Sequence, residues 1–266
     1  ALLNFPHDRA KTENFSPKIT LDFRPFEDGT LMYLSAQRGY KSGTYNVVTI
    51  YTAPAYVKPE EVTAYEAGIK GSLGGRVFQY SAAMFQNDIK DLQTLVVSLT
   101  SGGAVQLANA AQATIRGFDF DMTWQVFPDL LPGFVLTASG AYQKGEYDDF
   151  PNAPGFDPVT GLFFGPSALV PSPERNFAGN KTVRTPEYSA TLGLNQIIEV
   201  DSGNIELGLN GSYNSGYFYD TQNTAEQPEY LLLNMRISYL HEPWGLRATV
   251  YGRNLTEEVY FLNKFV

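Results

Sequence analysis

The 266 residues carry 19 Lys and Arg against 28 Asp and Glu, a formal charge of −9 at pH 7, and so lack the cation excess that neutralises nucleic-acid phosphates. Zero Cys and two His exclude disulfide scaffolds, zinc ribbons, iron–sulfur sites, thiol nucleophiles and His-rich metal centres. No apolar run is long enough for a membrane-spanning helix, yet aromatics reach 14% and charged residues only 18%, below the usual quarter.

Period-2 alternation recurs from end to end. At 15–23, Phe15, Ile19, Leu21 and Phe23 oppose Lys18, Thr20 and Asp22. The stretch 30–38 alternates less cleanly. Tyr65, Ala67 and Ile69 mark the apolar face of 61–71, and Phe78, Tyr80 and Met84 that of 76–88. In 117–124, Phe118, Phe120, Met122 and Trp124 oppose Gly117, Asp119, Asp121 and Thr123. The stretches 134–143, 188–195, 204–213, 230–239 and 244–251 repeat the split. This predicts about ten strands of about 8–12 residues, a length suited to a tilted membrane strand and above the common soluble length.

The connections take turns. Short ones fall at 24–29, 72–75, 126–133, 199–203 and 240–243; long ones fall at 39–60, 92–104, 145–185 and 214–229. A barrel with tight turns on one rim and large loops on the other has this pattern. Aromatics gather near strand ends, at Trp124, Phe127, Phe134, Tyr188, Tyr213, Tyr239 and Trp244, where an interfacial girdle belongs. With so many strands the interior is too wide for side chains alone to fill, so the polar face is expected to line a wet lumen. The expected fold is all-β, an antiparallel transmembrane β-barrel with short periplasmic turns and long extracellular loops.

No nucleophile elbow, phosphate-cradling loop or dinucleotide fingerprint occurs, and no enzyme activity or cofactor is expected. By parity Glu66, Lys70, Asp119, Asp121, Arg236, Arg247 and Arg253 face inward. Glu66 and Lys70 are expected to form a salt-bridge ladder, and Asp119 and Asp121 to be bridged by neighbouring Arg or Lys. Glu60/Glu61 and Asp148/Asp149 are expected to be solvated loop charges. His7 and His241 stand apart and suggest no metal site. The loops, where recognition usually resides, are rich in aromatics. The ligand-binding candidates are Arg38, Tyr40, Lys41, Tyr45, Tyr147, Tyr217 and Tyr219, with further loop rings at Tyr51, Tyr56, Phe150, Phe163, Phe164 and Phe218. Tyr and Phe offer rigid contact area at low entropy cost, and Arg38 and Lys41 suit an anionic group.

Five segments resemble one family in its own order. SPKITLDFRP (16–25) with LMYLSAQRGYKSGTYN (31–46), PEEVTAYEAGIKGSL (59–73), AAMFQNDIKDLQ (82–93), NAAQATIRGFDFDMTW (109–124) and YGRNLTEEVY (251–260) are similar to stretches of TonB-dependent receptors, the gated transporters of Gram-negative outer membranes. The resemblance implies part of a barrel of about 22 strands, with residues 1–266 a partial barrel domain lacking the plug and the final strand. It implies location in the cell outer membrane of a Gram-negative bacterium and TonB-coupled uptake of a ferric siderophore or other bulky nutrient. The implied partners are TonB (through the plug), membrane lipid and lipopolysaccharide, and the nutrient ligand. It also implies that the inward Arg residues meet a plug. Two other readings fit the residues: a self-contained ten-stranded outer-membrane barrel, a surface protease or adhesin; and a soluble β-rich carbohydrate-binding module or glycosidase.

Overall fold

The computed structural model describes residues 11–45, 56–98, 104–151, 153, 155–156, 163–164 and 176–264. In chain order the strands are β1 (Lys18–Phe23), β2 (Leu31–Lys41), β3 (Thr44–Tyr45), β4 (Tyr56–Val57), β5 (Glu60–Leu73), β6 (Phe78–Ser98), β7 (Ala104–Gln125) and β8 (Phe134–Asp149). There follow β9 (Gly155–Phe156), β10 (Phe163–Phe164), β11 (Tyr188–Val200), β12 (Gly203–Asn214), β13 (Tyr217–Phe218), β14 (Glu226–Gln227), β15 (Tyr230–His241) and β16 (Leu246–Gly252). Ten of them form one sheet in the order β1-β2-β5-β6-β7-β8-β11-β12-β15-β16. Every pair in it is antiparallel. The pairs β3–β4, β9–β10 and β13–β14 are small hairpins within the long connections. Among the described residues no α-helix forms; a 3-10 turn at Glu242–Trp244 closes the β15–β16 hairpin.

Register fixes which residues share a face. One row across the sheet runs Leu21, Leu34, Ala67, Met84, Phe118, Tyr142, Tyr188. The adjacent row runs Asp22, Tyr33, Gly68, Ala83, Asp119, Ala141, Ser189, Asn214, Tyr230. The first is apolar and the second mostly polar, because successive side chains on a strand alternate in direction.

The apolar face has nothing packed on it. Ile19 is 68% exposed and Val250 75%. Among the described residues the buried apolar side chains are mostly alanines, with a small aromatic group at the long-loop end. A water-soluble domain buries its apolar faces, so the soluble module is ruled out; lipid is the solvent that suits this face. The self-contained ten-stranded barrel also fails: among the described residues β1 and β16 lie at opposite ends of the sheet order and do not pair with each other. Aromatics frame the apolar band. Phe78 meets Trp124 edge-on, and Trp124 lies 6.3 Å from Phe127, at the short-turn end. Tyr142 and Tyr188 lie 5.1 Å apart at the long-loop end.

The connections differ most from expectation at β6–β7; β8 likewise runs on to Asp149, into the expected 145–185 loop. β6 and β7 pair as far as Ser98 and Ala104, so most of 92–104, expected as a long loop, is strand. These strands have 21 and 22 residues and rise past the apolar band. The ladder slips between Ile89 and Gln93, where Asp91 takes φ 52°, a bulge that lets it continue.

Candidate functional site

Glu66, Lys70, Asp119, Asp121, Arg236 and Arg247 all lie on the polar face by register. Arg253 follows β16 and places its guanidinium 5.2 Å from the Tyr251 ring on that same face. The expected Glu66–Lys70 ladder does not form. The two are about 13 Å apart along the strand, and the Tyr33 ring crosses between them over Gly68. Its hydroxyl donates to Glu66 Oε1 at 2.6 Å, while Lys70 Nζ sits 5.9 Å from the ring centroid. Nor are Asp119 and Asp121 bridged: among the described residues neither has a cation at ion-pair distance.

At the other end of the sheet Glu206 serves two cations, Arg247 Nη1 at 2.9 Å and Arg236 Nη2 at 3.8 Å. The polar face therefore changes sign across its width. Asp22, Glu66, Asp119 and Asp121 outweigh Lys18 and Lys70 over β1–β7. Arg236, Arg247 and Arg253 outweigh Glu206 over β12–β16. Between them β8 and β11 offer Thr137, Ser139, Thr191 and Asn195.

The loop candidates fall into two groups far apart in the sheet order. Arg38, Tyr40, Lys41 and Tyr45 stand over β2 and β5. Register puts Arg38 and Tyr40 on the apolar, outward side, in line with Met32 and Leu34. Arg38 Nε lies 3.3 Å from Glu61 Oε1. Lys41 approaches Glu60 at 3.9 Å on the inward side, and Tyr45 packs on Tyr56 at 5.2 Å.

Tyr147, Tyr217 and Tyr219 stand over β8–β15. Tyr147 is 1% exposed, closed in by Phe150, Phe177 and Ala113. The chain at 176–182 returns along the end of β8, with Tyr147 N bonding Asn180 O and Thr182 N bonding Gly145 O, and covers it. Tyr147 is thus a packing residue of the loop. Tyr217 and Tyr219 are half-buried and meet edge-on at 5.1 Å. The Tyr219 hydroxyl donates to the carbonyl of Phe261, and Arg184 lies 5.6 Å from its ring. Asn180 Nδ2 donates to Thr221 O, and Asn223 Oδ1 accepts from Lys181 N. Three loop segments are tied into one block by these contacts. His241 lies against Trp244 at 4.7 Å near the short turns; among the described residues no metal-binding group of side chains forms. His7, Tyr51 and the 157–162 stretch lie outside the described residues, as do the side chains of Phe163 and Phe164.

Residues 3–255 match the model of a family described as TonB dependent receptor-like, beta-barrel. The chain belongs to this family. The ferric yersiniabactin uptake receptor FyuA of Yersinia pestis shares the fold at TM-score 0.72 and 20% identity, over 94% of this chain and 33% of that one. The siderophore receptor PiuA of Acinetobacter baumannii gives 0.66 at 17% identity, over 92% and 32%. BauA of the same organism, a ferric preacinetobactin receptor, gives 0.63 at 17% identity, over 92% and 32%. The chain spans about a third of the length of these structures.

As a wall of a TonB-dependent receptor barrel, the chain shows why three of its family-like segments co-occur. Glu60, Gln93 and Asn109 come from separate segments and meet in one knot at the top of β5, β6 and β7. Glu60 Oε2 accepts from Gln93 N at 2.8 Å, and Gln93 Nε2 donates to the carbonyls of Ser42 and Lys58. Asn109 bonds both backbone groups of Lys58 and the carbonyl of Asp91. Glu60 is 9% exposed, which corrects the expectation of a solvated loop charge. The sequence hid this because the partners meet only through the Asp91 bulge.

The tied loop block responds to alkali. Burial, reinforced by the hydrogen bond with Tyr217, pushes the Tyr219 hydroxyl from 10.0 up to about 12. The folded state holds this proton longer than the unfolded one does, so its contribution is complete below pH 10 and is lost as pH rises toward 12. We expect proteolysis of the 176–187 and 215–229 loops to accelerate over that interval, and Tyr219→Phe to abolish this component. An unchanged profile in the variant would remove Tyr219 as its source.

Proposed function

We propose that the chain forms the wall and part of the extracellular mouth of an outer-membrane receptor that takes up a ferric siderophore or another bulky nutrient, driven by TonB acting on a plug. The observation that carries this is the sheet's two-sidedness: an exposed apolar band framed by aromatics on one face, and a charged face crowned by aromatic loops on the other. The first suits membrane lipid and lipopolysaccharide, and the second suits a wet lumen that holds a plug. Its family is one of transporters and receptors, so no covalent chemistry is assigned.

In this reading Glu66, Lys70, Asp119 and Asp121 meet a basic side of the plug, and Arg236, Arg247 and Arg253 an acidic one. Opposed potentials orient a partner more than they tighten it, which suits a plug that must yield under pull. Lys41, Tyr45, Tyr217 and Arg184 are the loop groups best exposed toward an entering ligand. Arg38 and Tyr40 face outward in register, and Tyr147 is buried in the loop packing over β8.

The test is uptake in the source bacterium. A deletion strain and a strain lacking TonB are each given a panel of labelled ferric chelates, cobalamin and oligosaccharides. Both should lose import of the same compound, and the gene alone should restore it in the deletion strain. Import of every compound at wild-type rate in the deletion strain would sink the proposal.

A further inference from the structure

We infer that the outward face of β1, β2 and β5–β8 holds a specific site for an acylated, phosphate-bearing lipid of the outer leaflet, with Arg116 and Lys144 as its phosphate ligands. The inference rests on the outer-membrane placement proposed above.

One cross-strand row reads Ile19, Ala36, Tyr65, Gln86, Arg116, Lys144. It lies one step toward the long loops from the apolar row that ends in Phe118 and Tyr142. The apolar band therefore gives way to polar and cationic groups within a single step, at the level where lipid headgroups begin. Arg116 and Lys144 are directly opposite each other across β7–β8. Like charges in that position repel, and a shared anion converts the repulsion into a clamp.

The protein supplies little of that anion. Lys144 has Glu146 at 2.8 Å, but among the described residues Arg116 has no ion-pair or hydrogen-bond partner. Gln86, the neighbour of Arg116 on β6, turns its amide to Asp88 at 2.9 Å. The Arg116 fork is left free for bidentate contact with phosphate.

Directly below runs a groove of about 800 Å³ on the outward face, with Ile19, Leu21, Leu34, Ala36, Ala67 and Met84 among its lining residues. It forms where the small side chains of Ala36 and Ala67 lie between the larger Leu34, Tyr65 and Met84. An acyl chain fits such a trough, and its headgroup would then reach Arg116 and Lys144, which line the same groove. A polar protein partner is excluded by the apolar rows beneath; charge and depth together select a lipid. Basic pockets at membrane depth bind phosphorylated headgroups by this logic.

The complete protein, extracted from outer membranes in mild detergent, is tested by native mass spectrometry with two probes, a bis-phosphorylated acylated diglucosamine and its dephosphorylated form. The phosphorylated probe should bind at least about tenfold more tightly, as expected for a charge-assisted contact. Arg116→Gln with Lys144→Gln should reduce it to the level of the other. Inorganic phosphate alone should not compete. Equal binding of the two probes to the unaltered protein, or unchanged discrimination in the double variant, overturns the site. Because the first comparison uses no variant, misfolding of the double variant leaves it decisive. Membrane fractionation separates the two claims: a protein in the outer membrane that ignores phosphate overturns only the site, and one absent from that membrane overturns both.

Discussion

Gly117→Ala is expected to destabilise the barrel wall by about 1–3 kcal/mol, as overpacking does in a filled site, and Gly117→Val by more. Gly117 lies on β7 opposite Phe85 and Gln143. A Cβ at this position would collide with the carbonyl oxygen of Tyr142, and would lie 2.9 Å from Phe85 Cζ and 3.0 Å from Gln143 Cα. Two of those three atoms are backbone of the paired strand, so the clash cannot be relieved by swinging a side chain. The ladder itself must open.

The contrast within the same wall is Gly68. There the neighbour is the Tyr33 ring, the far end of a side chain that can rotate away, so Gly68→Ala should cost less and act through loss of the Tyr33–Glu66 bond. The measurement is the urea midpoint of the complete protein in detergent micelles, with heat-dependent gel migration as the assay of the closed barrel. Equal midpoints for Gly117→Ala and the unaltered protein would show that β7 and β8 can separate at no cost. A larger loss for Gly68→Ala than for Gly117→Ala would reverse the assignment of strain.

The strands are legible because their two faces differ in polarity. Leu21, Leu34, Met84 and Phe118 lie on the exposed apolar face, Asp22, Tyr33 and Asp119 on the polar one, and the alternation survives in one dimension. The pattern failed where that contrast ends. Above the apolar band the alternation is lost, with Leu95, Val96 and Val97 in consecutive positions, and most of 92–104 nevertheless pairs. Contacts between strands were hidden for a different reason: they depend on register, which no single segment encodes. The Glu60–Gln93–Asn109 knot needs the bulge at Asp91, the Arg116–Lys144 juxtaposition needs the β7–β8 pairing, and the Tyr33 ring over Gly68 needs that of β2 and β5. Tyr147 reads as a ligand group in the sequence because it is an aromatic residue in a long loop, where recognition usually resides. What buries it is the return of 176–182, a tertiary event set by Phe177 and Asn180. Composition told that the loops were aromatic, and folding decided which rings support and which face outward.

Asn254→Ala is expected to cost about 2–4 kcal/mol, summing two side-chain hydrogen bonds at about 1 kcal/mol each with the strain of a left-handed residue. The family-like RNLTEEVY segment begins where β16 ends at Gly252 and the chain must leave the ladder. Asn254 makes that exit. Its φ is 50°, a region that Asn tolerates better than any other residue with a Cβ. Its amide N donates to Asn234 Oδ1 at 2.9 Å, which anchors the turn to β15. Its own side chain then spans the turn, Oδ1 accepting from Glu258 N at 3.0 Å and Nδ2 donating to Glu258 O at 2.9 Å. With the turn fixed, Leu255 N reaches Leu233 O and the Thr256 hydroxyl reaches Leu231 O. Beyond it, Tyr260 stacks on Tyr230 and Phe261 N bonds Gln227 Oε1, so the same residue positions the support under Tyr219. Two variants separate the causes. Asn254→Gly relieves the backbone and loses the bonds; Asn254→Asp keeps the acceptor and loses the donor. Alanine should therefore be the least stable of the three by urea midpoint, and all three should speed cleavage of the 215–229 loop. Glycine as damaging as alanine would assign the whole effect to the side-chain bonds, and no change in loop cleavage would break the link between this turn and the mouth.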